Sequence, residues 1–402
     1  MHLADRFVPA WLHDFHPRGS NDGDRARLQR LAKGLADVIN LNSGDPDLTA
    51  APVAVEAAVE ALRAGKTHYA HGGLAELRAA IARKLAADNR IIVDPERQII
   101  ITNGSAEAAA ALFHTILEPG DEVLTTDPYY SGHVWAVTAA HGVPVLIPTR
   151  GEDLWEPDPD EVAKRITPRT KAFVFANPAN PTGAVYRRET LQALVDLAQR
   201  ANILMVPDEL FERYVYDGRA HVSIGSLPGA ADHVVTINGF SKSYCMTGWR
   251  LGWIAAPKWL AEPLADVRYA LSMVAGTPTQ WGAIAALSDA ARPYYDEVYR
   301  AYGERRAFFY DTLTRLGLPQ HPAPGAFVGM VDIRPTGRTG AAVSEVFLRD
   351  ARVFLWPATV FGACGEGYLR VGLIKPLDTL KDMMRRIEPL IPALLAGAPS
   401  RR

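Results

Sequence analysis

The sequence predicts an α/β protein whose central sheet is mostly parallel and covered by helices on both faces. Between residues 98 and 256, short apolar runs alternate with helical segments, the order expected when a crossover helix follows each strand. The runs are continuously apolar, as at residues 99–102 and 203–206, and strands buried on both faces have this composition. Unusual polar residues directly follow several runs, at the sheet edge where such proteins bind ligands.

Composition limits the classes of function. The 402 residues carry a net charge of -2, which gives no basic field for nucleic acid or an anionic membrane. The 2 cysteines, Cys245 and Cys364, are too few for a disulfide framework or a cysteine-based zinc cluster. The histidines lack metal-ligand spacing, the start lacks the pattern of a signal peptide, and no apolar run has membrane-spanning length. We therefore expect a soluble cytoplasmic protein without a metal site.

The chain before residue 98 is predicted to contain helices around one short strand. Apolar residues recur at helical spacing over residues 26–36, 53–64 and 74–89. On the third of these helices, we expect Glu76 and either Arg83 or Lys84 on the exposed face. A short strand at residues 38–41 runs into a turn at Gly44-Asp45-Pro46.

Regular alternation begins at residue 98. The predicted strands cover residues 99–102, 122–125, 143–147, 171–175, 203–206 and 234–237. The predicted helices between them cover residues 105–117, 130–141 and 187–202. After about residue 280 the pattern changes to a helical region, three strand-like runs and a closing helix. We therefore expect a large domain at residues 46–280 and a smaller α+β domain made of residues 1–45 and 281–402.

Lys242 is the residue that most needs a functional explanation. It follows an apolar strand, and a lysine in such surroundings is costly unless it is paired, solvated or used covalently. We interpret it as the amine that holds a cofactor aldehyde as a Schiff base. Asp208, at the end of another buried strand, would then pair with a pyridinium nitrogen, although a helix cap or a structural ion pair would also explain it.

A candidate phosphate site lies at Gly104-Ser105-Ala106, between a strand and a helix. Free backbone N–H groups and the helix dipole favour an anion there. Arg250 could bind the same phosphate through a forked pair of hydrogen bonds, and Ser241 could donate to it. The alternatives are a serine that caps the helix, an arginine in a surface ion pair and a serine in a turn. The fingerprints of dinucleotide and nucleoside triphosphate sites are absent from this segment.

Three more residues belong to the candidate site. Asn180 lies in Asn-Pro-Ala-Asn-Pro-Thr-Gly, where two prolines fix the backbone, and it could donate to a ring oxygen or form an Asx turn. Tyr130 could stack on a planar ring or belong to the core. Arg370, among apolar residues of a late strand, could bind a substrate carboxylate in a bidentate pair or be exposed on an edge strand.

In this order, the residues resemble the class I/II aminotransferases, the pyridoxal-phosphate enzymes that include aspartate and aromatic aminotransferases. The most specific parts of the resemblance are residues 177–183, Asp208-Glu209, Ser241-Lys242 and residues 247–250. It implies the fold-type I architecture, with a seven-stranded sheet in the large domain. It also implies pyridoxal 5'-phosphate as cofactor and an amino acid and a 2-oxo acid as substrates.

The resemblance implies a role for each candidate residue. Lys242 holds the cofactor and moves protons at the substrate α-carbon, Asp208 pairs with the pyridine nitrogen and Tyr130 stacks on the ring. The residues implied around the phosphate are Ser105, Ala106, Ser241 and Arg250. Asn180 contacts the ring oxygen, and the substrate carboxylate is received by Gly44, Asn180 and Arg370. Tyr69 resembles the tyrosine that reaches the phosphate of the neighbouring subunit, so a homodimer with shared active sites is expected.

Two segments depart from the family pattern. Phe211 stands three residues after Asp208, where the family usually has a tyrosine that donates to the ring oxygen. Without that donor, we expect the Schiff-base nitrogen to keep its proton to a higher pH. Trp356-Pro357-Ala358 replaces the usual Pro-Gly turn. We expect residues 7–30 and the segment around Trp356 to line the pocket for the substrate side chain.

Three functions are compatible with these features. The first is amino-group transfer from an amino acid to a 2-oxo acid. The second uses the same cofactor for β- or γ-elimination, replacement or cyclisation in specialised amino-acid metabolism, and Phe211 favours it. The third is a degenerate ligand-binding or regulatory domain, which the presence of all the candidate residues disfavours.

Overall fold

The computed structural model describes residues 22–318 and 320–396. Its α-helices are α1 (Asp22–Lys33), α2 (Pro52–Arg63), α3 (Ala75–Lys84), α4 (Ser105–Ile116), α5 (Ser131–Ala139), α6 (Pro159–Ala163), α7 (Arg188–Ala201), α8 (Lys258–Ser272), α9 (Thr277–Ala286), α10 (Arg292–Arg315), α11 (Gly340–Ala351), α12 (Leu377–Ile387) and α13 (Ile391–Ala396). Its strands are β1 (Ile39–Asn40), β2 (Ile99–Thr102), β3 (Glu122–Asp127), β4 (Val143–Pro148), β5 (Thr170–Ala176), β6 (Leu204–Asp208), β7 (Thr236–Gly239), β8 (Gly252–Ala255), β9 (Val328–Asp332), β10 (Val353–Phe354), β11 (Trp356–Pro357) and β12 (Tyr368–Gly372).

A seven-stranded sheet in the order β2-β8-β7-β6-β5-β3-β4 forms the centre of the molecule. The pairs along β7-β6-β5-β3-β4 are all parallel, whereas β8 runs antiparallel to both of its neighbours. The connection between β7 and β8 carries Lys242 and lacks the crossover helix that a parallel pair requires. The predicted α/β fold with a mostly parallel seven-stranded sheet is therefore confirmed.

Helices cover both faces of this sheet. Alternate residues of β5 face opposite sides, because Val174 packs with Phe113 of α4 whereas Phe173 and Phe175 belong to the cluster that contains Leu194 of α7. Every residue of β2, β6 and β7 is buried. Burial on both faces explains why these strands read as continuous apolar runs in the sequence.

A smaller antiparallel sheet, in the order β11-β12-β9, contains the late strands. The N-terminal part of the described chain joins this region, because β1 pairs with β10 through Ile39 and Val353. A second core lies here, with Leu41, Phe347 and Leu369 buried. The helical region expected after about residue 280 consists of two helices, α9 and α10, and α10 contributes to the cores of both regions.

The position of Lys84 shows that one of the two basic residues considered for the exposed face of α3 is buried. It was a candidate for the exposed face of α3, but it is 7% exposed and pairs with the buried carboxylate of Glu212. Its spacing of seven residues from Leu77 puts it on the buried face of the helix. Buried lysines require such a partner because an isolated charge is costly away from water.

Within the described ranges, no helix is both long and apolar enough to cross a membrane.

Candidate active site

A cavity of about 570 Å³ lies at the carboxyl ends of β5, β6 and β7, between the large sheet and the segment that carries β11 and β12. Most of the predicted site residues line it: Gly44, Ser105, Ala106, Tyr130, Asn180, Asp208, Ser241, Lys242, Arg250 and Arg370. Parallel strands end at the same edge of a sheet, and this brings together residues that are far apart in the sequence. Tyr69 does not line the cavity of its own chain.

Lys242 lies in the loop after β7 and points across the cavity. Its Nζ donates to the carbonyl oxygen of Gly44 at 2.7 Å, and its own carbonyl accepts a hydrogen bond from Tyr214 Oη at 3.0 Å. Burial lowers the pKa of Lys242 to about 8, although the nearby carboxylate of Asp45 opposes the shift. Burial therefore favours the neutral, nucleophilic form of this amine.

Asp208 ends β6 and is buried at the floor of the cavity. Its Oδ2 lies 3.0 Å from Nε2 of His133, a buried residue of α5, and its Oδ1 accepts from the backbone N–H of Leu210 at 3.2 Å. His133 was not predicted as a partner of Asp208. Its spacing of three residues from Tyr130 could have indicated it, since both then lie on one side of the start of α5.

Behind Asp208, a buried polar cluster fixes the following turn. Lys84 Nζ donates to Glu212 and, at 2.6 Å, to Asn89, while Asn89 Nδ2 donates to Glu212 at 2.7 Å. Ser223 Oγ donates to Glu209 at 2.8 Å. These contacts tie the residues that follow β6 to α3 and its π-helical extension.

Gly104 and Arg250 form a cradle at the start of α4. Gly104 has φ +90°, and a Cβ there would lie 2.5 Å from Arg250 Nη2, so only glycine leaves the guanidinium in place. Arg250 donates to the carbonyls of Thr247 at 2.9 Å and Asn103 at 3.2 Å. It forms no ion pair with any residue in the ranges that the structure describes, and Ser105 makes no side-chain cap of α4. Both groups therefore face the cavity with hydrogen-bonding capacity to spare.

Arg370 is buried in β12, the central strand of the small sheet, which contradicts an exposed edge position. It is 3% exposed, and its Nη1 donates to the carbonyls of Asn42 at 2.9 Å and Ser43 at 3.0 Å. Its Nε is buried without a hydrogen-bond partner among the described residues. Burial lowers the pKa of Arg370 to about 10. A buried guanidinium that has no anionic partner in the described part of the chain is suited to receive a carboxylate.

Asn180 and Tyr130 lie on the wall near Asp208. The Oδ1 atom of Asn180 is buried and has no partner in the described part of the chain, so this amide retains hydrogen-bonding capacity. The ring of Tyr130 packs edge-on against His133, with 5.1 Å between the ring centroids. Gly132 makes room for this ring, since a Cβ there would lie 2.6 Å from it.

Phe211 lies on the cavity wall and is 4% exposed. Its ring packs against Phe327 with 5.1 Å between the centroids. The residue thus fills the wall with an apolar edge and supplies no donor to the cavity.

Tyr69 is 66% exposed and packs against His71, with 5.8 Å between the ring centroids. The sequence-based role for it requires a second subunit, so its position outside its own cavity leaves that prediction untested.

The cavity lining also contains residues whose part in the site was not predicted individually. Arg25 of α1 and Trp356 of β11 line the cavity, together with Trp135, Val360 and Phe361. Arg25, Trp356, Val360 and Phe361 belong to the two segments expected to line the side-chain pocket, whereas Trp135 belongs to α5 and was not predicted. Residues 7–21 lie outside the described residues.

The comparisons with known proteins agree on one family. Residues 36–387 match the family model described as aminotransferase class I and II. The chain is 36% identical over 373 residues to an aspartate aminotransferase of Pyrococcus abyssi, covering 92% of this chain and 96% of that protein. It is 38% identical over 399 residues to an arginine–pyruvate transaminase of Pseudomonas aeruginosa, covering 96% and 99%.

Solved structures give the same result. The crystal structure of an aromatic aminotransferase from Pyrococcus horikoshii superposes with a TM-score of 0.86 at 36% identity, covering 91% of this chain and 99% of that one. These matches support amino-group transfer and do not support the lyase or cyclase alternative. The chain belongs to the class I and II aminotransferases and is a pyridoxal-phosphate-dependent aminotransferase.

Proposed function

We propose that this cavity holds pyridoxal 5'-phosphate through Lys242, Asp208 and Arg250 and transfers an amino group from an amino acid to a 2-oxo acid. The observation that carries the proposal is the position of Lys242, whose partly neutral amine faces a cavity with a buried carboxylate at its floor. When bound, the cofactor supplies an aldehyde for the amino group and a pyridinium ring that withdraws electrons from the substrate α-carbon.

The donor set fits this cofactor. Asn180 lies in the cavity lining, where its Nδ2 group could donate to the ring oxygen, and Tyr130 offers a ring face. Asp208, held by His133, suits a protonated ring nitrogen, because a buried carboxylate favours a cationic partner. The residues proposed to surround the phosphate are Ser105, Ala106, Ser241 and Arg250. They lie where the start of α4 supplies free N–H groups.

The remaining residues handle the substrate. Arg370, together with Gly44 and Asn180, is proposed to bind the substrate α-carboxylate, which would satisfy the buried guanidinium. The α-carbon is then held near Lys242, whose Nζ accepts the α-proton in its neutral form and later returns it. The apolar wall formed by Phe211 and Phe361 excludes water from this proton transfer.

The finer assignments of assembly and location are also proposals. We propose a homodimer in which Tyr69 reaches the phosphate site of the partner, consistent with its exposure outside its own cavity. We further propose a cytoplasmic enzyme of amino-acid metabolism, in which residues 46–280 form the cofactor domain and residues 1–45 and 281–402 form the smaller domain.

The test of the proposed function is Lys242→Ala. The purified wild-type enzyme should show the visible absorption of bound cofactor, and amino donors should convert that absorption to the form of the aminated cofactor. The variant should lose both the lysine-dependent absorption and amino transfer, because no other amine is placed at this position in the described cavity lining. Unaltered absorption and turnover in Lys242→Ala would refute the assignment. Lys258→Ala, at the start of α8 and outside the cavity lining, is the matched control.

A further inference from the structure

We propose that Arg25 binds a carboxylate on the substrate side chain, so that the preferred substrates are amino-dicarboxylic acids and their 2-oxo acids. This proposal rests on the proposed function, because it assumes that Arg370 receives the α-carboxylate. The names of the relatives include aspartate, arginine and aromatic aminotransferases. Similarity to them therefore does not determine which side chain the substrate carries.

Arg25 lines the cavity, and its guanidinium is available to bind an anion. Its guanidinium lies over the ring of Trp356, with 5.8 Å from Cζ to the ring centroid. No residue in the described ranges forms an ion pair or a hydrogen bond with it. Stacking on an aromatic face fixes the plane of a guanidinium and leaves its N–H groups free for a carboxylate in the same plane.

The position of Arg25 is linked directly to that of Arg370. Trp356, which supports Arg25, is the cross-strand partner of Arg370 in the β11–β12 pair. The Arg370 guanidinium in turn lies 5.9 Å from the ring centroid of Phe361. Both arginines therefore line the cavity and are linked through Trp356.

The helix that carries Arg25 is held in place. Leu28, one turn later in α1, is fully buried in a cluster that contains Phe354 and Trp356. Arg27 forms ion pairs with Asp24 and with Glu345 of α11. The pair with Glu345 links α1 to α11. Arg27 therefore has carboxylate partners, whereas Arg25, which lines the cavity, has none among residues 22–318 and 320–396.

None of the anions assigned so far to the described cavity pairs with Arg25. The described lining of the cavity contains two carboxylates, and each has a hydrogen-bond partner. Asp45 accepts from Thr247 at 2.6 Å, and Asp208 contacts His133. Of the three arginines, Arg250 is assigned to the phosphate and Arg370 to the α-carboxylate. A third anion is needed for the third arginine, and a side-chain carboxylate supplies it. The positive charge of Arg25 would repel a cationic substrate side chain. A purely aromatic side chain would leave the Arg25 guanidinium without an anionic partner.

The experiment compares matched amino donors in the holoenzyme. The ratio of kcat/KM for L-glutamate to that for L-norvaline, and for L-aspartate to that for L-2-aminobutyrate, is measured in wild type, Arg25→Gln and Arg25→Lys. We expect the wild type to favour the dicarboxylates and Arg25→Gln to lower both ratios by about 10- to 100-fold, with Arg25→Lys between them. Arg30→Gln, an exposed arginine of the same helix, should leave the ratios unchanged.

A binding measurement separates recognition from turnover. Succinate should bind the wild-type holoenzyme more tightly than butyrate, and Arg25→Gln should remove most of that difference. Equal kcat/KM for dicarboxylic and matched neutral donors in the wild type, or ratios unaffected by Arg25→Gln, would overturn the proposal. Either result, obtained with an enzyme that still transaminates neutral donors, would leave the proposed function intact. Failure to transaminate any donor would instead count against the proposed function.

Discussion

The two sides of the cavity are built in different ways. On the cofactor side, Asp208 ends one strand of the large sheet, and Asn180 and Lys242 follow two others, so the fold of this sheet brings them together. On the substrate side, the wall is assembled from distant segments, as the hydrogen bond from Arg370 to Asn42 across 328 residues illustrates. The first arrangement can be predicted from the order of strands, whereas the second depends on how the chain ends pack.

Loss of the charge at Asp208 should have the largest effect among the changes considered next. Asp208→Asn removes the anion proposed to keep the ring nitrogen protonated, and kcat/KM should fall by at least about 100-fold. His133→Phe, which removes only the partner of that carboxylate, should cost about 10-fold and shift the absorption of the bound cofactor. If Asp208→Asn retains wild-type kcat/KM, the cofactor side does not depend on the buried carboxylate.

The buried pair behind Asp208 should control the stability of the cofactor side. Lys84→Met leaves the Glu212 carboxylate buried without its cation and should cost about 3–5 kcal/mol of unfolding free energy, measured by urea denaturation. Lys84→Met combined with Glu212→Leu should recover part of this loss. Lys164→Met, which breaks the exposed pair with Glu161, is the control and should change stability little.

The same pair predicts an acid dependence. Burial raises the pKa of Glu212, but the Lys84 charge, His221 and the hydrogen bond from Asn89 outweigh it and lower the pKa to about 2 from an ordinary 4.5. A lowered folded-state pKa gives stability that is complete above the ordinary value and is lost as the pH falls toward 2. In Lys84→Met this loss should begin at higher pH. Identical acid-unfolding curves for variant and wild type would contradict the pairing.

Phe211→Tyr should have a smaller effect, on the pKa of the Lys242 nitrogen in the holoenzyme. A phenol at this wall position would add a donor beside Asn180, and we expect it to lower the pKa of the Lys242 nitrogen in the holoenzyme by about 1 unit. A spectrophotometric pH titration of wild type and variant measures this pKa. An unchanged pKa would mean that the new hydroxyl does not reach the bound cofactor.

The sequence contained enough to predict the sheet and the candidate residues of the cofactor side. Short apolar runs identified the strands, and Asp208 and Lys242 stood out because each directly follows one. Lys84 was harder to place, because its charge suggested exposure while its spacing from Leu77 and Ile81 placed it on the apolar face. Helical periodicity was the better guide there, since a buried partner can neutralise a lysine.

The substrate side could be predicted only as a region. Residues 7–30 and the segment around Trp356 were expected to form the pocket, but the part played by Arg25 depends on its stacking on Trp356. Contacts between segments so far apart leave no periodic pattern in a single sequence. His133 was missed for a similar reason, because its partner Asp208 is 75 residues away.

The most direct test of the central claim is to locate the cofactor chemically. Borohydride reduction of the wild-type holoenzyme should fix the cofactor to the chain, and peptide mass spectrometry should find the reduced adduct on Lys242. We expect a single modified peptide, the one that contains Ser241-Lys242-Ser243. An adduct on another lysine, or retention of the cofactor without any covalent attachment, would contradict the account.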